Sequence, residues 1–494
     1  MASWPTATYM LLASRLIPRI DGGFKVAVLA RARHMAATGV EDGRGPLLLT
    51  VDPATPEAHR AHRASFIERG LAASADVFRN LFDDAHADID WLWDAAVPGH
   101  AAVGIRYRDV AVGADAVVSL PVIESAEWHL STAPVVIRRP EGVRVLAGFG
   151  ALYRAWLDHL VAVSRAEHPD RPVVLVCESR QLGELLAGWR PDGVCLIHAV
   201  HTSHLGVGDE HADLWRRWFT CLDEFDAVLW PTRQQRDDVV AAYGPSPVHE
   251  VVPNALPLPT HPPCEQSPGR VVAVGRLATG KRFDHALHAW ARVLQAVPGA
   301  RLEIYGEGPA RPELEEIIAA HGLARSVTLH GHVEPFDICR HGEVFVQATA
   351  YEGQGLATLE AMASGTPVVS YDVPYGVREM LADGGGLLVP DGDQEALADA
   401  LIAVLGDPAL RDRMSERALA RAAQYAPESV MPRLAAAVQR ALVRAAGRRA
   451  ADGGPLQPSA TARPATSAYS RRSQSPKPGK ASVPAGSGRS TTGS

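Results

Sequence analysis

Lysine is nearly absent from this sequence: of 49 basic residues only four are lysines, Lys25, Lys281, Lys477 and Lys480. Arginine serves wherever a general positive charge will do, so a lysine kept in the body of the chain marks a place that wants a compact ammonium. Cysteine is also scarce. The five, at 177, 195, 221, 264 and 339, lie far apart, mostly in apolar runs, and form no CxxC pair. That excludes a disulfide framework and a cysteine-based zinc site and points to a reducing compartment. No apolar run reaches the ~18 residues needed to span a bilayer. The opening MASWPTATYMLLASRLIPRIDGG has no positive n-region, so a signal peptide is not expected and a cytoplasmic location is.

A chain of 494 residues with 47% hydrophobic content predicts a soluble protein of two or more domains. From Gly447 to Ser494 the composition turns to Ser, Pro, Gly, Thr, Ala and Arg, which predicts a disordered tail with little to bury. The tail carries a net charge of +7 while the whole chain carries −7, so residues 1–446 carry about −14. A basic tail on an acidic body suits peripheral contact with anionic lipid or an anionic polymer; the plainer expectation is a solvated tail.

The body divides at a proline-rich linker, NALPLPTHPPCEQSPG, giving an N-terminal domain over 1–255 and a C-terminal one over 256–426. In the second, Arg270–Val274, Arg301–Tyr305, Val327–Leu329, Val344–Gln347 and Pro367–Tyr371 read as strands. Phe283–Val297 and Pro312–His321 read as helices between them. Such alternation predicts an α/β fold with a doubly wound parallel sheet, whose ligands sit beyond the carboxyl ends of the strands. The first domain is also α/β, with strands at Pro46–Val51, Val173–Cys177, Gly193–His198 and Ala227–Trp230. Its stretch 100–147 alternates short β runs with turns and predicts a small antiparallel insertion. A final helix over 427–446 is expected to cross back to the first domain.

The segment Tyr351–Ser370, YEGQGLATLEAMASGTPVVS, concentrates the chemistry. Glu352 lies in a glycine-rich loop, and Glu360 follows eight residues on, inside the helix Leu356–Ala363. Gly353 and Gly355 allow a tight turn and close approach of backbone to a ligand. Strand, glycine loop and helix N-terminus in that order form an anion site. Two carboxylates beside a phosphate site suit a ligand with both phosphate and hydroxyls, a nucleotide sugar. Arg276 and Lys281 follow the strand Arg270–Val274 in one loop, and two cations there suit a leaving diphosphate.

Other polar clusters carry less. His198, His201 and His204 follow a buried strand, but on a strand-to-loop path they do not converge on a metal as they would on a helix. His201 is the one best placed to enter a cleft. Gly22 and Gly23 form a turn before the helix Val26–Ala37 and would let backbone N–H groups approach that cleft. Asp88 and Asp90 make a formal D-x-D outside any strand–loop–helix context, and no metal site is expected. His285 and His288 fall on a helix and read as structural.

Together VGRL…GK at 274–281, IYGEGPARPEL at 304–314, LHGHV at 329–333, the Glu-x7-Glu pair and VVPNA at 251–255 resemble retaining glycosyltransferase family 4 over about 190–425. The segment SYDVPYG at 370–376, the GGFKVAVLARARHMA opening and the β insertion are similar to the subgroup acting on wall teichoic acids or serine-rich adhesins. The resemblance implies a GT-B fold, two Rossmann-like domains facing one cleft. It implies that Arg276 and Lys281 hold the donor diphosphate, Glu360 the ribose hydroxyls and Glu352 the sugar hydroxyls. The backbone of Gln354, Gly355 and Leu356 would cap the phosphates, and His330, Gly331 and Val333 would line the base. His201 would contact the donor sugar, and Gly22 and Gly23 would lie beside the phosphates. Gln354 departs from the family, where many members carry an aromatic residue.

The same resemblance implies transfer of glucose or N-acetylglucosamine from a UDP-sugar, with retention, to a hydroxyl of a polymer, protein or small molecule. No cofactor, metal or nucleic acid is called for, and self-association through the insertion is admitted. A nucleotide-sugar epimerase and a non-catalytic acceptor-binding partner are the competing expectations.

Overall fold

The computed structural model describes residues 3–18, 22–205, 209–259, 267–331 and 338–452, with backbone alone at 209–213 and 449–452. Val333, part of the linker and the tail beyond Asp452 lie outside the described residues.

The chain opens with three parallel strands, β1 (Thr8–Ala13), β2 (Leu47–Thr50) and β3 (Phe78–Asn80). A five-stranded antiparallel sheet follows: β4 (Val97–Pro98), β5 (Tyr107–Val112), β6 (Ala116–Pro121), β7 (Val135–Arg139) and β8 (Gly142–Leu146). The insertion thus begins slightly before the expected residue 100. The parallel sheet resumes with β9 (Val173–Cys177), β10 (Val194–Ala199), β11 (Ala227–Trp230) and β12 (His249–Val251). In space its order is β12-β11-β10-β9-β1-β2-β3. Strands such as VVLVC and VCLIHA are buried along their whole length, as expected where helices cover both faces of a parallel sheet.

The second sheet contains β13 (Arg270–Val274), β14 (Arg301–Tyr305), β15 (Val327–His330), β16 (Val344–Gln347), β17 (Val368–Tyr371) and β18 (Gly386–Val389). Its order is β15-β14-β13-β16-β17-β18, all parallel. Both sheets therefore reverse winding direction at a central pair, β1/β9 in the first and β13/β16 in the second. Crevices at such switch points are where doubly wound sheets bind ligands.

The cores assign the chain to its two halves. Ala255 packs in the core of the first sheet and Leu256, its neighbour, in that of the second. Tyr425 belongs to the second core, whereas Val430, Met431, Leu434 and Val438 return to the first. The returning helix, Pro427–Asp452, runs past the position 446 expected for its end. Arg440 and Arg444, within the expected helix, pair with Glu250, and Arg448, assigned to the tail, pairs with Asp226, so a carboxylate of the first half holds the helix beyond its expected end. Chain therefore passes between the halves in two places, and the Leu256 N–H donates to the Tyr425 carbonyl at 2.9 Å, joining the two passages.

Leu434 is 1% exposed, and Leu434→Ala is expected to cost about 2–4 kcal/mol through lost burial and the cavity left behind. The check is a lowered melting transition, with limited proteolysis cutting the last helix first.

Candidate functional site

The loop after β13 and the loop after β16 are knit together. The Ala350 N–H donates to the Gly280 carbonyl at 2.9 Å, and the Thr349 hydroxyl reaches the same oxygen at 3.2 Å. This seats Lys281 beside Glu352, whose Oε1 accepts from Lys281 Nζ and, at 3.1 Å, from Gln347 Nε2. The Lys281 side chain remains 32% exposed. A half-open pair of this kind contributes little to stability, so the ammonium can be shared with an arriving anion at small cost. Arg276 lies earlier in the same loop, two residues past the strand, exposed and with no ion pair among the described residues.

The other rim of the crevice is stitched by Gly306, whose φ is +147° and where a Cβ would fall 1.9 Å from the Gly275 carbonyl oxygen. Its N–H donates to the Gly331 carbonyl at 3.1 Å. The ends of β13, β14 and β15 therefore meet, with Arg276 and Gly331 on one side. The His330 ring is turned onto the sheet: it stacks on Tyr305 at 4.3 Å and lies 3.6 Å from Glu303. Its carbonyl accepts from Arg311 at 2.7 Å.

Glu360 sits in the helix Leu356–Ala363, which follows Gly355 at φ +84°. It is 5% exposed, and its carboxylate finds no hydrogen-bond partner among the described residues. Burial alone pushes it up to about 8. A buried acid left without donors is costly, and perturbed acids of this kind gather at functional sites.

Several contacts bring the first half against this loop. A Cβ at Gly353 would lie 2.7 Å from the His201 carbonyl oxygen, so only glycine permits this backbone-to-backbone approach. Gly23 would place a Cβ 3.7 Å from Leu356 Cδ1. Gly22 and Gly23 are the first residues of the helix Gly22–Ala37 rather than a turn preceding it, since a helix's first turn has free N–H groups and tolerates glycine. The Gln354 amide brackets Asn254: its Oε1 accepts from the Asn254 N–H at 2.6 Å and its Nε2 donates to the Asn254 carbonyl at 3.0 Å. The departure from an aromatic residue thus replaces packing with a two-point hydrogen bond. Tyr375 stacks on His204, and Glu379 accepts from the N–H groups of Arg233 and Gln234 at 2.9 and 3.2 Å. That glutamate caps a helix N-terminus in the opposite half, where negative charge is favoured.

His201 is held from behind. Its Nε2 lies 2.5 Å from Glu178 Oε2, and the edge of Phe24 meets its ring at 5.2 Å. Glu178 is fully buried, and Arg31 Nε lies 3.2 Å from its Oε1. Burial alone would raise Glu178, but the Arg31 guanidinium and His201 overcome it and hold the carboxyl below its ordinary value. Arg31 Nη2 also donates to Asn254 Oδ1 at 3.1 Å.

The structure thus draws Glu352, Lys281, His201, Gly23, Gln354 and Leu356 into one contiguous crevice wall, with Glu360 buried behind the loop. The remaining polar clusters go elsewhere. His198 is buried against Trp218, and His204 faces Tyr375 and Gln235, so the three histidines diverge. Asp90 pairs with Arg139, while Asp88 accepts from the Asp90 N–H. His285 bonds the Tyr371 hydroxyl at 3.1 Å. No cluster with metal-ligating composition occurs among the described residues. Sequence reasoning missed Glu178, Arg31 and Asn254. One signal was available for Glu178: a carboxylate immediately after the central strand β9 falls at the switch point.

Residues 268–407 match the family described as glycosyl transferases group 1. The poly(glycerol-phosphate) alpha-glucosyltransferase of Bacillus subtilis is 26% identical over 281 residues, covering 56% of this chain and 41% of that protein. The GtfA subunit of the UDP-N-acetylglucosamine–peptide N-acetylglucosaminyltransferase of Streptococcus pneumoniae is 30% identical over 207 residues, covering 40% of this chain and 41% of that one. The chain thus spans about two-fifths of the length of these curated relatives. Among solved structures, S. aureus TarM superposes with a TM-score of 0.67 at 16% identity, over 89% of this chain and 99% of that one. Pneumococcal GtfA, solved with UDP and GlcNAc, gives 0.66 at 16% identity, over 88% and 99%. The likeness establishes a shared GT-B architecture.

Glu360 sets a pH dependence. Its folded-state value near 8 lies above the ordinary carboxyl value, so between about pH 4.5 and 8 the native state keeps a proton that the unfolded chain releases. Its contribution to stability therefore declines as pH rises through that window. Glu360→Gln should match the wild type near pH 5 and melt higher at pH 8.5, by about 2–4 °C per kcal/mol relieved. Thermal scans of both proteins across pH check this.

Proposed function

We propose that this chain is a retaining glycosyltransferase that moves glucose or N-acetylglucosamine from a UDP-sugar to a hydroxyl acceptor, a wall polymer, a Ser/Thr protein or a small molecule. The observation that carries it is Glu360. A carboxylate buried without donors, behind a glycine loop that also holds a lysine–glutamate pair, suits vicinal hydroxyls next to phosphates. Ribose hydroxyls supply the missing donors. Glu352, already turned toward Lys281, takes sugar hydroxyls, and Arg276 and Lys281 take the diphosphate. The backbone of His330 and Gly331 borders the base, and that of Gln354, Gly355 and Leu356 and of Gly22 and Gly23 borders the phosphates. The relatives support the donor class: GtfA is named for UDP-N-acetylglucosamine and was solved with UDP.

In the reaction the acceptor oxygen attacks the anomeric carbon from the face the diphosphate leaves. The bond to phosphate oxygen breaks, the new glycosidic bond forms, and the hydroxyl proton passes to the departing phosphate. No side chain of the crevice is needed as nucleophile. Arg276, Lys281 and the N-terminus of the helix Leu356–Ala363 stabilise the charge developing on the leaving group. These fixed charges fill the part a divalent ion takes in other transferases, so the reading includes metal-independent turnover. It also includes a cytoplasmic location, peripheral contact with anionic surfaces through the basic tail, and self-association. No described helix is long and apolar enough to cross a membrane, and the four described cysteines are free thiols.

Lys281→Ala should raise the barrier by on the order of 2–4 kcal/mol, as for other preorganised charge stabilisers; a kcat/KM within a few-fold of wild type would remove Lys281 from the site. Of a panel of nucleotide sugars, UDP-glucose or UDP-N-acetylglucosamine should raise the melting temperature most, since native-state ligands stabilise by mass action. GDP- or ADP-sugars outperforming them would overturn the donor assignment. Saturating EDTA should leave the transfer rate unchanged.

A further inference from the structure

His201, Glu178, Arg31, Asn254 and Gln354 form one continuous polar chain from the donor-facing imidazole to the glycine loop of the opposite half. Each link is buried or nearly so: the His201 side chain is 10% exposed, Glu178 is fully enclosed, and Arg31, Asn254 and Gln354 are all buried. A buried carboxylate with an arginine on one side and a histidine on the other is too costly to be incidental.

We propose that Glu178 and Arg31 are positioning residues. Glu178 commits Nε2 of His201 away from the crevice and leaves Nδ1 as the ring nitrogen offered to the donor sugar. Arg31 keys that orientation, through Asn254, to the seating of the Gln354 loop. This rests on the function proposed above and adds to it a coupling between the groups that meet the sugar and those that meet the phosphates.

The geometry supports each step. Nδ1 of His201 has no protein partner among the described residues. The Phe24 ring packs against the imidazole in a T-shaped contact, the two planes at 89°. Arg31 faces two partners: its Nε lies 3.2 Å from Glu178 Oε1 as an ion-pair contact without a hydrogen bond, and its Nη2 donates to Asn254 Oδ1 at 3.1 Å. A lysine has one ammonium and cannot hold both in the same geometry. Gln354 grips the Asn254 backbone on both its N–H and its carbonyl, so displacement of Asn254 shifts the phosphate-capping loop.

The test uses the full chain labelled with 15N-histidine, His201 being assigned by loss of its signal in His201→Gln. In the wild type Nε2 of His201 should carry a hydrogen-bonded proton, and Glu178→Leu, which removes the acceptor, should abolish that signature. With UDP-glucose and UDP-N-acetylglucosamine as probes and donor hydrolysis as readout, Glu178→Gln should lower kcat about ten- to hundred-fold, the scale of a small misplacement in an active site. Donor KM should stay within about three-fold, since the diphosphate grip is intact. Arg31→Lys, which keeps the charge, should raise donor KM as well as lower kcat; it carries the test if Glu178→Gln does not fold. An Nε2 that is unprotonated in the wild type, or a Glu178→Gln kcat within two-fold, overturns the proposal. If the wild type turns over neither donor, the function assigned above fails, while the imidazole spectrum still decides the relay.

Discussion

The separation of the two halves is set by a contact that no side chain can enter: the Gly353 backbone against the carbonyl of His201. Because the approach is main chain to main chain, it fixes the crevice width more tightly than packed side chains would. Glu352 precedes that glycine and Gln354 follows it, so one flank of the contact carries the lysine pair and the other the clasp on Asn254. The Tyr375–His204 stack and the Glu379 cap extend the same interface outward.

Two buried carboxylates in the site are treated in opposite ways. Glu178 is surrounded by compensating groups, and its ionised form is favoured despite complete burial. The burial of Glu360 is offset by no donor among the described residues, so its protonated form is favoured. The first arrangement builds a rigid support; the second leaves hydrogen-bonding capacity that only a ligand can use. A stability penalty of this kind is a usual companion of a binding site.

Much of the fold was legible because both sheets are made of short strands with apolar centres, separated by helices at amphipathic spacing. Arg301–Tyr305 and Val173–Cys177 stand where their composition places them. The loop–helix unit at 351–363 was legible for the same reason, its glycines and helix stop lying within a few residues of each other. What was hidden depended on distance in sequence. Arg31 meets Asn254 across 223 residues, and Gln354 meets it across 100; nothing local to any of them announces the partner. His330 was legible as a position but not as a side chain, because its ring choice depends on Tyr305 and Glu303 in the neighbouring strand. The end of the last helix was placed too early because Arg448, which looks like tail composition, has a carboxylate waiting for it on the first half, Asp226.

The hydrogen bond between Leu256 and Tyr425 ties together the two places where chain passes between the halves. Bodies joined by two separated straps resist every relative motion, and bodies joined by one are free to wander. Straps bonded side by side define a single pivot. Opening to admit a donor or release a product is then a swing about that line.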